Sequence, residues 1–479
     1  MFNQLRRKTV LFMTVAYIIF AVIPSVGWAA PGAVLNKIRT SQTADKVRIV
    51  FDVATLPEYT VTALENPMRL VIDMPGAVNK ATDQLVFNDP TLDKLRLSTE
   101  DGSVKTVIDF KTAYTYNVFT LKNPNRLVVD IIKRYDRKYV DEITPGITYT
   151  AWMRSAASGP VQAYILDIDP KSGYVIKPAI SNGVVQGLEP VKAMADNNQA
   201  LAAVNGSYFG LDGSIIGLLK INGEIASTPE LPRTALGVMP EGKVLIDQVE
   251  YQGKVELPGG QNITISAVNR ERGENELILY NDLYGATTGS NGYGQEYVII
   301  NDKVASLNPG NTQIPSGAIV LSAHGIAAKQ MSALKVGDTV KVQETLGPVW
   351  DKTMHAIGAG PMLVKNNSVF LTTKIEEFGS DVAGGRAPRT ALGVKGDGHI
   401  LAVVVDGRQE HSIGMTLLEL AVFMQELGAE DAMNLDGGGS SEMVVKGKVV
   451  NKPSDGRERR VGDALVIVPS MLPITKNTL

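Results

Sequence analysis

The stretch Asn66-Pro67-Met68-Arg69-Leu70-Val71-Ile72-Asp73 returns 57 positions later as Asn123-Pro124-Asn125-Arg126-Leu127-Val128-Val129-Asp130. In both copies an Asn-Pro turn precedes an arginine, an apolar run rich in β-branched residues and an aspartate, so turn chemistry and strand pattern agree. At the same offset, the alternating run Val47-Arg48-Ile49-Val50-Phe51-Asp52 is matched by Val104-Lys105-Thr106-Val107-Ile108-Asp109. Two matches at one offset argue for a duplicated β unit. The expected product is a β-sandwich of two similar sheets over residues 33–134. Arg69 and Arg126 read either as edge-strand charges with structural partners or as glycan contacts.

Outward from this repeat, the N-terminal side changes where the protein is expected to work. Arg6, Arg7 and Lys8 precede an apolar run from Val10 to Ile23, with small residues around Trp28 before Pro31. This is the pattern of a signal peptide over residues 1–29, with cleavage after Ala29. An uncleaved anchor is the competing reading, since the run approaches the roughly 20 residues that a bilayer needs. Either way the chain is expected to be exported, secreted or associated with the cell envelope, and free of the membrane once cleaved. On the C-terminal side, Lys133 to Lys138 is strongly polar, and residues 135–145 read as a linker.

Composition narrows the function classes. The 479 residues carry 47 Lys plus Arg against 50 Asp plus Glu, a balance that gives no reason to expect nucleic acid as a partner. The chain has no cysteine, which excludes disulfides, thiolate metal sites and a cysteine nucleophile. Its four histidines, His324, His355, His399 and His411, lack the spacing of a metal site or a catalytic triad. No cofactor is expected, although loop carboxylates leave a divalent cation such as calcium open.

Residues 146–470 read as a strand-dominated α+β domain with glycine-rich loops. Helical periodicity is convincing at Val191–Asn197 and at Leu417–Leu427, where Gly428 ends the helix. Three clusters hold the polar chemistry. In the segment from Asn434 to Glu442, Gly437, Gly438 and Gly439 can expose backbone amides to an anion, and Ser440 and Ser441 add hydroxyls, with Asp436 beside them. A plain glycine-rich turn capped by Asp436 explains the same residues. Asp406-Gly407-Arg408 follows the most apolar strand, as a mutual ion pair or as a carboxylate and an anion-binding arginine. The heptapeptide Pro-Arg-Thr-Ala-Leu-Gly-Val occurs at Pro232–Val238 and at Pro388–Val394, setting Arg233 and Arg389 in equivalent positions where a guanidinium fork could bind phosphate.

Two resemblances follow from these residues. The repeated unit resembles the AMIN domain, found beside cell-wall amidases and thought to hold envelope proteins on peptidoglycan. The region from 160 to 468 is similar to the phosphodiester glycosidase family, through Ala203–Phe209, Gly358–Val364, Arg386–Gly393, Asp406–Arg408, Asn434–Ser441 and Asn451–Arg459, in that order. The second resemblance implies hydrolysis of a sugar 1-phosphodiester, of the N-acetylglucosamine 1-phosphate type, in envelope polymers or exopolysaccharide. Partners would be a cell-wall glycan or a sugar-phosphate polymer. Breaking the anomeric bond makes an oxocarbenium-like transition state and a phosphate leaving group. On that reading Asp436 is nucleophile or base with Asp406 as electrostatic partner, or the reverse. Arg389, Arg408 and the Gly437–Ser441 loop would take the phosphate; Asn205 would read a sugar hydroxyl or only hold a turn, and Tyr208 or Phe209 would stack on the ring or only pack in the core. Glu458 and Arg459 would complete the site or pair with each other. A non-catalytic glycan-binding or scaffold protein on the same fold is the alternative.

Overall fold

A computed structural model describes residues 33–43, 45–134, 136–156 and 158–470. The signal-peptide reading of residues 1–29 lies outside them. The chain divides into two compact units, one formed by Arg48–Lys111, Asn117–Asp130 and the described residues before Ser41, the other by the remainder.

The first unit holds two five-stranded sheets. Each mixes the two halves of the repeat. Lys46–Val53 neighbours Arg126–Lys133 in one sheet, and Met68–Pro75 pairs with Ser103–Phe110 in the other. Alternation decides which face is buried: Val47, Ile49, Phe51 and Val53 point inward from one sheet, and Val104, Thr106, Ile108 and Phe110 from the other. Of the four aspartates that close the repeated runs, three take arginine partners, and Asp73 accepts from the Ser103 hydroxyl. Asp52 accepts two bonds from Arg39 at 2.7 Å, Asp109 two from Arg96 at 2.9 Å, and Asp130 two from Arg48 at 2.6 and 2.7 Å. Such forked pairs fix which strands lie together. Arg126 folds back onto the Pro124 carbonyl.

The second unit is built on an eight-stranded sheet in the order Asp136–Thr144, Ile147–Ala156, Gly159–Ile168, Ile400–Val405, Arg389–Lys395, Ala429–Asn434, Met362–Lys365 and Ser368–Val369. The segment 135–145 is therefore not a linker. Asp136–Thr144 pairs with Ile147–Ala156, and Asp136 takes the Trp152 indole N–H at 2.5 Å. Its polarity is that of an exposed edge strand, where charges block further pairing.

Two more five-stranded sheets share a core with the large one. One is centred on Asp463–Pro469 and Ala202–Asn205, the other on His355–Gly358 and Arg233–Val238. Leu166, Val204, Leu236, Ile357, Leu392, Met433 and Leu465 bring all three together. A second core lies under the strands between 249 and 345. The expected helix forms as Leu417–Glu426, where Thr416 accepts from the Glu419 N–H and Glu419 accepts from the Thr416 N–H, a reciprocal cap. It lays Leu420, Phe423 and Met424 against the large sheet. The unit is strand-dominated throughout, as an α+β domain of this composition requires.

Candidate active site

The two copies of the heptapeptide are both strands, and both place a threonine at a buried junction. Thr390 donates to Asn205 Oδ1 at 2.7 Å, and Thr234 donates to Glu376 Oε1 at 2.5 Å. Asn205, fully buried, completes its bonding by accepting from the Glu442 N–H at 3.2 Å and donating to the Asp436 carbonyl at 2.7 Å. It therefore does not read a sugar hydroxyl. It ties the strand Ala202–Asn205 to the loop that carries Asp436, and the Asp436 N–H anchors the same loop on the Gly206 carbonyl at 3.1 Å.

That loop presents Asp436 to a cavity of about 520 Å³ whose walls include Tyr208, Phe209, Ile216, Arg233, Phe378 and Arg459. The volume lies within the roughly 300–1,000 Å³ of small-molecule sites. The Tyr208 hydroxyl is held between the Gly360 carbonyl and Asn434 Nδ2, both at 2.9 Å, so the ring is a fixed wall. Phe378 lies 5.8 Å from it, and the Arg233 guanidinium sits 4.4 Å above the Phe378 ring. Glu377 and Asp381 add exposed carboxylates at the rim.

The Asp436 carboxyl is pushed up to about 6 by burial, an effect opposed by the Ser440 hydroxyl, the Gly437 N–H at 2.8 Å and the charge of Arg459. Arg459 is itself held by Asp455 at 2.7–2.8 Å and reaches Ser440 Oγ at 3.4 Å. It thus pairs with Asp455 and not with Glu458, whose carboxylate acts on Glu442 and Lys192 and lines no part of the cavity. Arg408 adopts φ +59° and brings its guanidinium beside Gly438, where a Cβ would stand 3.3 Å from Nη1. A Cβ on Gly439 would overlap the Arg459 guanidinium and the Asp455 carboxylate. The glycines are needed so that two arginines can approach the turn.

Several sequence readings are corrected here. The Gly437–Gly439 amides do not form an open anion nest. Gly437 N–H is taken by Asp436 and Gly438 N–H by the Pro388 carbonyl at 2.9 Å, and the turn closes through Ser440 and Ser441 N–H bonds to the Gly437 and Gly438 carbonyls. Ser440 serves Asp436, and Ser441 is buried away from the cavity. Arg389 does not bind phosphate. It is buried, and its guanidinium donates to the carbonyls of Met415, Val382 and Gly385 at 3.0–3.2 Å, pinning the segment that carries Phe378 and Asp381. Asp406 does not partner Asp436. Its buried carboxylate accepts from Tyr164, His411, Asn451 and the Lys452 N–H at 2.9–3.2 Å, with no bond to Arg408. A carboxylate with that many donors is a structural hub.

Other groups were not anticipated. Asp463 is fully buried, accepts the Ser207 N–H and hydroxyl at 2.7 and 2.9 Å, and is raised to about 7 by burial and by the Asp436 charge. Glu442 is buried and is also raised to about 7, by burial and by Glu458. Phe378 carried no signal. Arg233 carried one: it is the twin of Arg389, and it is the twin that faces the cavity. Among the described residues no group of three or more His, Asp or Glu is placed to hold a metal ion.

Comparison with known proteins bears on this geometry. Residues 37–131 match the AMIN domain, and residues 293–468 match the phosphodiester glycosidase family. The N-acetylglucosamine-1-phosphodiester alpha-N-acetylglucosaminidase of Mus musculus is 27% identical over 155 residues, which is 30% of this chain and 30% of that protein. The SPbeta prophage-derived uncharacterized protein YomE of Bacillus subtilis is 44% identical over 80 residues, 17% of this chain and 12% of that protein. The chain thus spans less than a third of either relative. Two solved structures share the fold: a hypothetical protein from Synechocystis (TM-score 0.64, 23% identity, 91% of this chain and 81% of that one) and a putative exported protein from Burkholderia pseudomallei (TM-score 0.57, 22% identity, 93% and 100%). Asp436 and Arg459 fall inside the matched segment, whereas Tyr208, Phe209 and Arg233 reach the same cavity from outside it. The chain carries an AMIN domain over residues 37–131 and a phosphodiester glycosidase domain over residues 293–468.

Proposed function

We propose that this protein is an exported hydrolase that cleaves sugar 1-phosphodiesters, of the N-acetylglucosamine 1-phosphate type, in envelope polymers or exopolysaccharide, with the AMIN domain holding it at the cell wall. The observation that carries this reading is Asp436, a carboxyl raised to about 6 on the wall of a cavity that it shares with Arg459 and Tyr208. A carboxyl near that value is largely ionised at neutral pH and still basic enough to take a proton.

The sugar ring lies against Tyr208, Phe209 and Phe378. The phosphate lies toward Arg459, with Arg408 beside the same turn. Water attacks C1, the C1–O bond breaks, its electron pair leaves with the phosphomonoester, and the water proton passes to Asp436. A phosphomonoester is a stable anion, so the leaving oxygen needs little protonation, and Arg459 and Arg408 supply positive charge beside the loop. Arg389 acts at one remove, by fixing the loop that carries Phe378.

Hydrolysis of UDP-N-acetylglucosamine in ¹⁸O-labelled water tests the bond that breaks. Label in the sugar C1 hydroxyl supports the reading; label in the phosphate would show attack at phosphorus and overturn it. A non-catalytic glycan-binding role is favoured by one observation, that Asp406 lies outside the cavity. It requires that Asp436→Asn alter affinity with no turnover to lose.

A further inference from the structure

The hairpin Tyr208–Phe209 to Ile215–Ile216 has a cavity on each side. Tyr208, Phe209, Gly210 and Leu211 line the one described above, Asp212 and Ser214 line a second of about 670 Å³, and Ile216 lines both. The chain after the strand Glu224–Ser227 does the same, with Thr228 and Glu230 in the second cavity and Arg233 in the first. The two cavities therefore flank one ridge. Leu211 extends wholly into solvent from that ridge, and Ile216 is 43% exposed.

The lining of the second cavity selects by charge. Its two arginines are already committed. Arg270 forms a fork with Glu276 at 2.6 and 2.9 Å, and Arg272, 8% exposed, donates to Ser322 Oγ at 2.8 Å and to Asn291 O and Oδ1 at 3.0 Å. Both guanidiniums are turned to protein partners, and the three carboxylates in the lining, Asp212, Glu230 and Glu271, would repel a phosphate. What remains is a polar surface of carboxylates, hydroxyls and an amide beside an apolar ridge. That combination suits an uncharged polyol: hydroxyls donate to carboxylates, and ring C–H faces pack on apolar side chains.

We propose that this second cavity binds the neutral sugar residues that continue the glycan beyond the one bearing the phosphodiester, so that the substrate is an oligosaccharyl 1-phosphodiester and not a single sugar. The proposal rests on the reading of the Asp436 cavity given above. With the phosphate toward Arg459, the sugar points to Phe209 and Ile216, and its chain passes over the ridge past Leu211 toward Asp212 and Glu271. The product is then an oligosaccharide with a new reducing end.

The test uses the full chain and Glu271→Trp, which fills the second cavity from an exposed position outside the catalytic cavity. Binding of three neutral tetrasaccharides, of β-linked N-acetylglucosamine, β-linked glucose and α-linked glucose, is measured by calorimetry alongside hydrolysis of UDP-N-acetylglucosamine. At least one tetrasaccharide should bind the wild type, bind Asp436→Asn equally, and lose tenfold or more in affinity in Glu271→Trp, with an unchanged melting temperature. The kcat/KM for UDP-N-acetylglucosamine should not change in Glu271→Trp. Binding that persists in Glu271→Trp, as it would if the AMIN domain held the sugar, overturns the proposal, as does the absence of binding by all three at millimolar concentration. If affinity is lost in Glu271→Trp but the wild type hydrolyses no UDP-N-acetylglucosamine, the glycan cavity stands and the hydrolytic reading falls.

Discussion

The Asp436 carboxyl is raised because the cavity wall removes water from it, while Ser440, Gly437 and Arg459 return part of the lost solvation. If it accepts the proton of the attacking water, log(kcat/KM) should climb with unit slope below pH 6 and level off above it. A profile that instead falls as pH rises through 6 would make Asp436 an acid. Asp463 behaves differently because it faces no cavity. Its folded value near 7 stands above the ordinary 3.8. Below the lower value both folded and unfolded chains hold the proton and no cost arises. Between the two values only the unfolded chain ionises, so stability falls as pH rises, and the loss is complete above 7. Thermal melts from pH 4 to 8 should therefore fall less steeply in Asp463→Asn than in the wild type; equal slopes would show that Asp463 ionises normally. Residue types pointed to this region without assigning its roles. Asp406 and Asp436 each end a strand and precede a glycine, and only the fold shows that one meets four partner residues and the other a cavity.

At the scale of elements, the twin strands after Pro232 and Pro388 were legible as a duplication, because an identical heptapeptide is a direct signal. Their divergence was not, since it depends on what packs beside each. Arg389 meets three carbonyls, while Arg233 meets the Phe378 ring and open space. Arg389→Ala should strip those carbonyls of their donors and destabilise the chain by about 3 kcal/mol, and should speed proteolysis between Phe378 and Gly385; a variant with normal melting and cleavage would contradict the pinning role. Strands with clear alternation, and the helix with its reciprocal cap, were readable because burial follows periodicity. Removing the cap by Thr416→Ala should cost about 1 kcal/mol, read as a lower denaturation midpoint with an unchanged slope. The edge strand Asp136–Thr144 was not readable, because exposed polar residues look alike in a strand and in a linker.

Over the whole molecule, the offset repeat is enough to reveal the N-terminal β unit, but not that each sheet takes strands from both copies. That exchange depends on pairings such as Arg48 with Asp130, which lie far apart in sequence. The second unit was read from six ordered motifs, yet the cavity also draws on Arg233, marked only by the repeated heptapeptide, and on Phe378, which no motif marked. If the AMIN domain serves to hold the chain at the wall, deleting residues 33–134 should leave hydrolysis of UDP-N-acetylglucosamine unchanged and reduce co-sedimentation with insoluble peptidoglycan severalfold. Undiminished sedimentation would place the wall contact elsewhere. The central claim is that Asp436 performs chemistry on a sugar 1-phosphodiester. It is tested most directly by the release of free N-acetylglucosamine from UDP-N-acetylglucosamine by the wild type and by Asp436→Asn. The account predicts turnover in the wild type, a loss of about 10²-fold or more in kcat for the variant, and a melting temperature no lower; equal turnover in both proteins, or none in the wild type, would contradict it.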